Sequence, residues 1–361
     1  MKKIFLILLI FIPIKIYALS ASSYVVMDYD SARVIEGSNI DNKKLIASTT
    51  KIMTAIIALE NADINQEVEV SSDVLKAYGS AIYIEVGEKL TLKDLLYGLI
   101  LRSGNDAAIE IARVVSGSMD DFVKLMNEKA IELDMKNTLF INNHGLEDNQ
   151  GNGNISSAFD MALLMRYALN NDVFKKITST KRYTVKSSYK TYDWYNKNRL
   201  LNEYKYCIGG KTGFTKKARR TLVTAASKDN KTLIIVTLND PNDFTNHKNL
   251  YEENFKKYDL VKILNKNTFK IDNVNYKGNL YIKDDYKILL TKDEVNKIEI
   301  NYELNEANNY KNNDEIGYAL IKLDNKILGK VPIYISTIKE EINEDNKSWL
   351  SKFLDFIFFW R

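Results

Sequence analysis

Apolar residues fall into three textures along the chain. A short unbroken run, Ile4 to Ile12, follows Lys2-Lys3 and stops at Pro13. From there to about residue 260, stretches with helical spacing mix with short alternating ones, and beyond Val261 alternation prevails. In the middle region, Ile52-Met53-Thr54-Ala55-Ile56-Ile57-Ala58-Leu59 predicts a buried helix opening at Ser48. Thr91 with Asp94 three residues on predicts a capped helix through Leu101 that stops at Arg102-Ser103-Gly104-Asn105. Two further helices are predicted at 106–116 and 119–133, the second with Phe122, Leu125, Met126 and Ala130 on its core face, and others at 156–168 and 246–258. Strands are predicted at Ser23–Asp28 and 33–36, at 67–70, and as a pair, 221–226 and 232–238, around the turn Lys228-Asp229-Asn230. Residues 80–86 read as an apolar loop or strand, 142–154 as a polar, glycine-rich loop and 196–201 as loop.

These textures predict a catalytic domain at 21–260 and a small β-rich domain at 261–338. The lysine-led run with Pro13 and the small residues Ala18, Ser20 and Ala21 predicts a secretory signal peptide over 1–20. A retained anchor is the other reading, but the run is short against the ~20 residues a span needs. The last segment, 339–361, places Trp349, Leu350, Phe353, Leu354, Ile357 and Trp360 on one helical face, opposite Ser351, Lys352 and Asp355. That pattern suits an amphipathic helix in a membrane interface, with docking on the protein's own body as the alternative.

Composition narrows the chemistry. Among 361 residues, 45% are hydrophobic, enough for a real core. The formal charge is only +4 and the lysines are spread, so there is no nucleic-acid footprint. One cysteine, Cys207, leaves no internal disulfide; with two histidines, His144 and His247, it leaves no metal-ligand cluster.

Three short motifs occur in order. Ser48-x-x-Lys51 sets an amine three residues from a hydroxyl, on one helical face. A serine needs such a base to become a nucleophile, and a lysine serves only if burial or nearby cations lower its pKa. Alone, Ser48 reads first as a plain helix N-cap, and the motifs that follow change that reading. Ser103-Gly104-Asn105 lies in a turn between helices, and Lys211-Thr212-Gly213 follows Gly209-Gly210 on a predicted strand. In this order the motifs resemble those of serine β-lactamases and penicillin-binding proteins. The resemblance is closest to the D-alanyl-D-alanine carboxypeptidases, the low-molecular-mass penicillin-binding proteins of peptidase family S11. It extends to Asn143-His144-Gly145-Leu146, Asp160-Met161-Ala162 and Phe214-Thr215, and covers nearly the whole chain. The sequence departs from the family around the third motif. Cys207-Ile208-Gly209-Gly210 stands where an Asp-Gly-x is usual, and Lys217-Ala218-Arg219-Arg220 where an Ala-Gly pair is usual.

The resemblance implies an α/β, serine β-lactamase/transpeptidase-like domain, an antiparallel sheet with helices on both sides, followed by the β domain and the amphipathic helix. It implies an exported enzyme at the outer face of the cytoplasmic membrane that removes the terminal D-alanine of peptidoglycan stem pentapeptides, with β-lactams as covalent inhibitors and no metal or cofactor. In that scheme Ser48 attacks the carbonyl between two D-alanines and Lys51 takes its proton. The backbone N–H groups of Ser48 and Phe214 hold the oxyanion, which is often worth ~3 kcal/mol. Ser103 passes the proton to the leaving amine and Asn105 bonds the substrate amide. Lys211 and Thr212 grip the terminal carboxylate, and Gly213 lets the peptide lie along the strand edge. His144 is expected to be a structural hydrogen-bonding residue and Cys207 a small buried apolar one. A serine β-lactamase, a D,D-endopeptidase and a non-catalytic peptidoglycan-binding protein remain as alternatives.

Overall fold

The computed structural model describes residues 19–271, 276–306 and 310–337. The leader expected over 1–20 (but for Leu19 and Ser20) and the helix expected at 339–361 lie outside the described residues. The chain divides into two units, one ending at Asp259 and one starting at Leu260.

The first unit is built on a five-stranded antiparallel sheet: β1 (Ser23–Asp28), β2 (Val34–Ser38), β3 (Cys207–Thr215), β4 (Arg219–Lys228) and β5 (Lys231–Leu238). The spatial order is β2-β1-β5-β4-β3, which leaves β3 at an edge. β1 pairs with β5 from Ser23 opposite Leu238 to Asp28 opposite Leu233, so the unit's first strand closes on its last. β4 turns into β5 through Asp229 and Asn230, both at positive φ, as a two-residue hairpin turn demands. Side chains alternate along a strand, and here both faces are covered. Val223, Ala225, Ile234 and Val236 enter the main core on one face. Thr224 and Thr237 face the other way and bond the imidazole of His247.

Seven helices of six residues or more are described: α1 (Lys51–Asn61), α2 (Leu92–Tyr97), α3 (Asn105–Ser116), α4 (Met119–Glu132), α5 (Ala158–Ala168), α6 (Asp172–Ser179) and α7 (Asp243–Lys257). α7 carries His247 and covers the second face. α1 is buried from Lys51 through Ala58 and contacts α3, α4, α5 and α6. A helix apolar on every side belongs in a core. α2 starts at the expected capping box, Thr91 Oγ1 accepting from Asp94 N at 3.1 Å and Asp94 Oδ2 from Thr91 N at 3.0 Å. It does not stop where its apolar run ends but widens into a π turn, Gly98–Arg102, and finishes at Ser103 with φ +64°. Residues 80–86 form no strand: the Asp106 carboxylate takes their N–H groups instead, from Ile82 at 3.0 Å and Tyr83 at 2.7 Å. α6 and the hairpin Arg182–Lys186 with Thr191–Tyr195 are additions to the sequence reading.

The second unit contains a four-stranded antiparallel sheet, ordered Asn279–Tyr281, Lys326–Ser336, Glu315–Leu323 and Ile298–Leu304. Ile316, Ile321, Ile333 and Ile335 fill its core. The alternating texture beyond Val261 predicts strands without an intervening helix. One short helix, Lys292–Val295, does interrupt them, because Thr291 and Glu294 form a capping box there.

Candidate active site

Ser48 does not open the helix. It lies in a 3-10 turn, Ala47–Thr50, and α1 begins at Lys51; no side chain caps either element. The turn is held from three sides. Thr49 and Thr221 both donate their hydroxyls to Ile46 O, at 2.6 and 3.1 Å, and Ile46 N donates to Asn154 O at 3.2 Å. Ala47 has φ +48°, a conformation that costs an alanine about 1 kcal/mol or more. Gly145, itself at φ +91°, lies so close that a Cβ there would overlap the Ala47 carbonyl. The loop 142–154 is therefore a brace for the nucleophile's turn. Thr54 Oγ1 donates to Asn143 O at 2.6 Å, and Asn143 Nδ2 to Ala108 O at 2.5 Å, which ties that brace to α1 and α3.

The spacing of Ser48 and Lys51 survives the change of helix type: Lys51 Nζ lies 3.2 Å from Ser48 Oγ. The same nitrogen donates to Asn105 Oδ1 at 2.7 Å and to the His144 carbonyl at 2.6 Å. A neutral amine has two N–H groups and one lone pair. Asn105 and His144 use the first two, and the lone pair is left for the Ser48 proton. Lys51 is fully buried, and its pKa is held well below the lysine range by that burial, then by the nearby Lys211 and Lys197 charges. The three-residue spacing thus works because of burial first, and then of charges drawn from distant parts of the chain.

Ser103 and Lys211 meet in the same way. Lys211 Nζ donates to Ser103 Oγ at 3.1 Å and to Thr212 O at 2.8 Å. Burial, and then Lys197, bring the Lys211 pKa down to about 7. The left-handed backbone of Ser103, at the end of the π turn, sets its hydroxyl beside this amine. Asn105 is fixed by a second bond, Nδ2 to Tyr78 O at 2.5 Å. Gly213 brings β3 against the nucleophile, since a methyl added there would stand 3.0 Å from the Ser48 amide nitrogen.

Ser48, Ser103, Thr212, Gly213 and Phe214 line one cleft of about 650 Å³. Ser48, Asn105 and Phe214 line a second, of about 450 Å³. Lys51 and Lys211 lie buried beside them, bonded to the Ser48 and Ser103 hydroxyls, so all eight candidate residues gather at one site. His144 contributes its carbonyl to Lys51; its ring Nδ1 accepts from Leu146 N at 3.1 Å, and burial followed by the Lys51 charge lowers its pKa to about 4. Cys207 is half-buried on β3, with its thiol pushed up to about 11 by burial. Among the described residues no cluster of three or more His, Cys, Asp or Glu could hold a metal ion.

Sequence reasoning passed over Lys197, which lines both clefts. Its backbone N–H donates to Leu101 O at 3.1 Å, and burial and then Arg102 lower its pKa. It also missed Arg199, Asp243 and Phe244 in the larger cleft. The cations between Asn196 and Leu200, and the Arg219-Arg220 departure, were the available signals.

Comparison with known proteins agrees with this geometry. The family profile "D-alanyl-D-alanine carboxypeptidase" matches residues 13–242, and "Penicillin-binding protein 5, C-terminal domain" matches 258–341. The chain is 37% identical over 222 residues to D-alanyl-D-alanine carboxypeptidase DacF of Bacillus subtilis, covering 60% of this chain and 56% of that protein. It is 28% identical over 365 residues to DacA of Escherichia coli, covering 94% and 87%. Among solved structures, penicillin binding protein 5 from Haemophilus influenzae matches with a TM-score of 0.76 at 27% identity, over 88% of this chain and 97% of that one. A D-alanyl-D-alanine carboxypeptidase from Mycobacterium tuberculosis matches with a TM-score of 0.63 at 32% identity, over 66% and 92%. With the paired serine–lysine contacts in place and the profile spanning well over half its length, the chain belongs to the D-alanyl-D-alanine carboxypeptidase family, the serine peptidases of family S11.

Proposed function

We propose that this protein is a D-Ala-D-Ala carboxypeptidase that removes the terminal D-alanine of peptidoglycan stem pentapeptides through an acyl-enzyme on Ser48. The observation that carries the reading is the Lys51 amine, buried and 3.2 Å from Ser48 Oγ with its other bonds already committed. Neutral Lys51 takes the Ser48 proton as Oγ attacks the carbonyl of the penultimate D-alanine. The Ser48 and Phe214 amides hold the oxyanion. Lys211, protonated, and Thr212 hold the terminal carboxylate, and Asn105 the amide on the acyl side. The proton taken by Lys51 is passed on through Ser103, itself bonded to Lys211, to the departing amine, which leaves Lys51 neutral and Ser103 unchanged. The C–N bond breaks, D-alanine leaves, and water hydrolyses the ester.

Two measurements test this. Incubation with a peptide ending in D-Ala-D-Ala is expected to release one equivalent of D-alanine per peptide. A fluorescent penicillin is expected to label the protein at Ser48, with Ser48→Ala unlabelled yet folded by circular dichroism. Folded wild-type protein that neither labels nor releases D-alanine would overturn the reading. A long-lived penicilloyl adduct is expected; rapid loss of the adduct would favour a β-lactamase.

The location is part of the same proposal. The lysine-led apolar run at the start of the chain and the aromatic amphipathic pattern of 348–361 support export and attachment to the outer face of the cytoplasmic membrane. No helix among the described residues is long and apolar enough to cross a membrane. Expression of the full chain and of a chain ending at residue 338, followed by membrane fractionation, tests the anchor: only the full chain is expected to sediment with membranes.

A further inference from the structure

The two clefts that meet at Ser48 differ in their far walls. Asn105, which serves the acyl side, lines only the smaller one, and Thr212, which serves the terminal carboxylate, lines only the larger. On the proposed reading the larger cleft is therefore the side on which the amine departs. Its volume, about 650 Å³, is far more than the methyl side chain of a departing alanine fills. Its far wall is made by Arg199, Arg220, Asp243 and Phe244.

The charges in that wall are not equally available. Arg220 is held by Asp243 through two bonds, Nε to Oδ2 at 3.1 Å and Nη2 to Oδ1 at 2.8 Å, and Asp243 is buried, so this cation is spent on its partner. Arg199 has only a loose acidic neighbour, Glu203 at 3.5 Å, with the two side chains 63% and 50% exposed. An exposed pair of that kind is worth at most about 1 kcal/mol and exchanges readily. The Phe244 ring supports the guanidinium of Arg199 at 4.6 Å, and that of Arg220 at 5.3 Å. The wall thus offers an apolar platform beside one exchangeable cation, while Lys197, the further cation lining this cleft, lines the smaller one too and donates its Nζ to Ser80 Oγ at 3.2 Å.

We infer that this arm binds the side chain of the departing residue, and that Arg199 selects departing D-residues whose side chain ends in a carboxylate. The inference rests on the proposed peptidase reading and extends it from D-Ala-D-Ala ends to D-Ala-D-Xaa bonds with an acidic Xaa. The step is unchanged in its balance. Ser48 Oγ bonds to the D-alanyl carbonyl carbon, the C–N bond to the departing residue breaks, and its nitrogen takes the proton that left Ser48. Water then splits the ester to a peptide acid. The α-carboxylate of the departing residue occupies the Lys211–Thr212 seat, and its side-chain carboxylate meets Arg199.

Diacetyl-L-Lys-D-Ala peptides ending in D-Ala, D-Glu or D-Gln test this on the folded protein, with the freed amino acid quantified. D-Glu and D-Gln are nearly isosteric, so their ratio of kcat/KM isolates the charge. Wild type is expected to favour D-Glu over D-Gln by about tenfold or more. Arg199→Gln is expected to bring the ratio to about one, and Arg199→Lys to restore part of it. Cleavage of the D-Ala peptide with no cleavage of the D-Glu peptide would overturn the inference alone. So would a D-Glu/D-Gln ratio that Arg199→Gln leaves unmoved. Cleavage of none of the three peptides would overturn the peptidase reading and the inference with it.

Discussion

On the proposed mechanism, two buried lysines have opposite duties. Lys51 must be neutral to act, and its lowered pKa supplies the neutral form well below the ordinary lysine range. Lys211 must be charged to hold a carboxylate, and its pKa of about 7 puts the loss of that charge near neutrality. For a peptide with a free carboxylate, kcat/KM is expected to rise with pH as Lys51 deprotonates and to fall above about 7 as Lys211 does. Amidating the peptide's C-terminus should remove the falling limb, which a stopped-flow pH series would read. Burying Lys211 also costs stability. Its folded pKa lies below the unfolded 10.5, so the unfolded state binds the extra proton between about 7 and 10.5, and stability rises with pH across that window. Lys211→Met is expected to raise unfolding free energy at pH 6 by on the order of 1 kcal/mol or more while losing peptide cleavage, measured by urea melts and D-alanine release. Gly213→Ala would set a methyl against the Ser48 amide and the Thr221 hydroxyl. Penicillin acylation should slow by about a hundredfold or more, the scale of losing an oxyanion donor, and the melting temperature should fall as well, because the methyl displaces the buried Thr221 hydroxyl from Ile46 O.

At the level of elements, the site hangs on connections that the motifs do not contain. The wall segment 80–84 has no ladder of its own and depends on Asp106, whose carboxylate accepts from Ile82 and Tyr83. Asp106→Ala would orphan three N–H groups of that segment, those of Ile82, Tyr83 and Ile84, each worth about 1–3 kcal/mol when buried. Limited proteolysis is expected to cut within 78–86 in that variant and not in wild type, and acylation to slow with it. Where local chemistry governs an element, the sequence pattern predicts it. Thr91 and Asp94 cap α2, Asp229 and Asn230 turn the hairpin, and the apolar run of 52–59 is a core helix. Where long-range contacts govern, it fell short. Ser48 looked like the start of a helix because its neighbours are helical, yet bonds to Ile46 from Thr49 and Thr221 tighten that turn to 3-10. Helix α6 and the 182–195 hairpin go beyond the sequence reading, the latter although its strands do alternate, with Tyr183, Val185, Tyr192 and Trp194 turned to the core and Arg182, Lys186 and Asp193 outward.

Across the whole molecule, the chemistry of the site was more legible than its edges. Serine, lysine and asparagine types are fixed by the reaction, so three short motifs disclosed them. Lys197 and Arg199 line the larger cleft from outside any motif, in a loop tied to Leu101 O and preceded by the hairpin. Acid stability is likewise a property of the assembled fold. His144 and His247 have pKa values lowered to about 4 and about 3. Each stays neutral when folded and takes up a proton on unfolding below about 6.5. Their stabilisation is complete above about 6.5 and is lost as pH falls through those values, with a slope of up to about 2.7 kcal/mol per pH unit while both contribute. Chemical denaturation between pH 7 and 4 should show this, and His247→Gln should flatten it. The sheet order carries one more consequence. Lys211 stands on β3, which leans on β4, then on β5, and β5 closes against β1, about 210 residues earlier. Contacts that distant form late. A nascent chain that has left the ribosome only as far as residue 230 therefore holds all three motifs and no working centre, and the serine stays inert until nearly the whole unit has been synthesised.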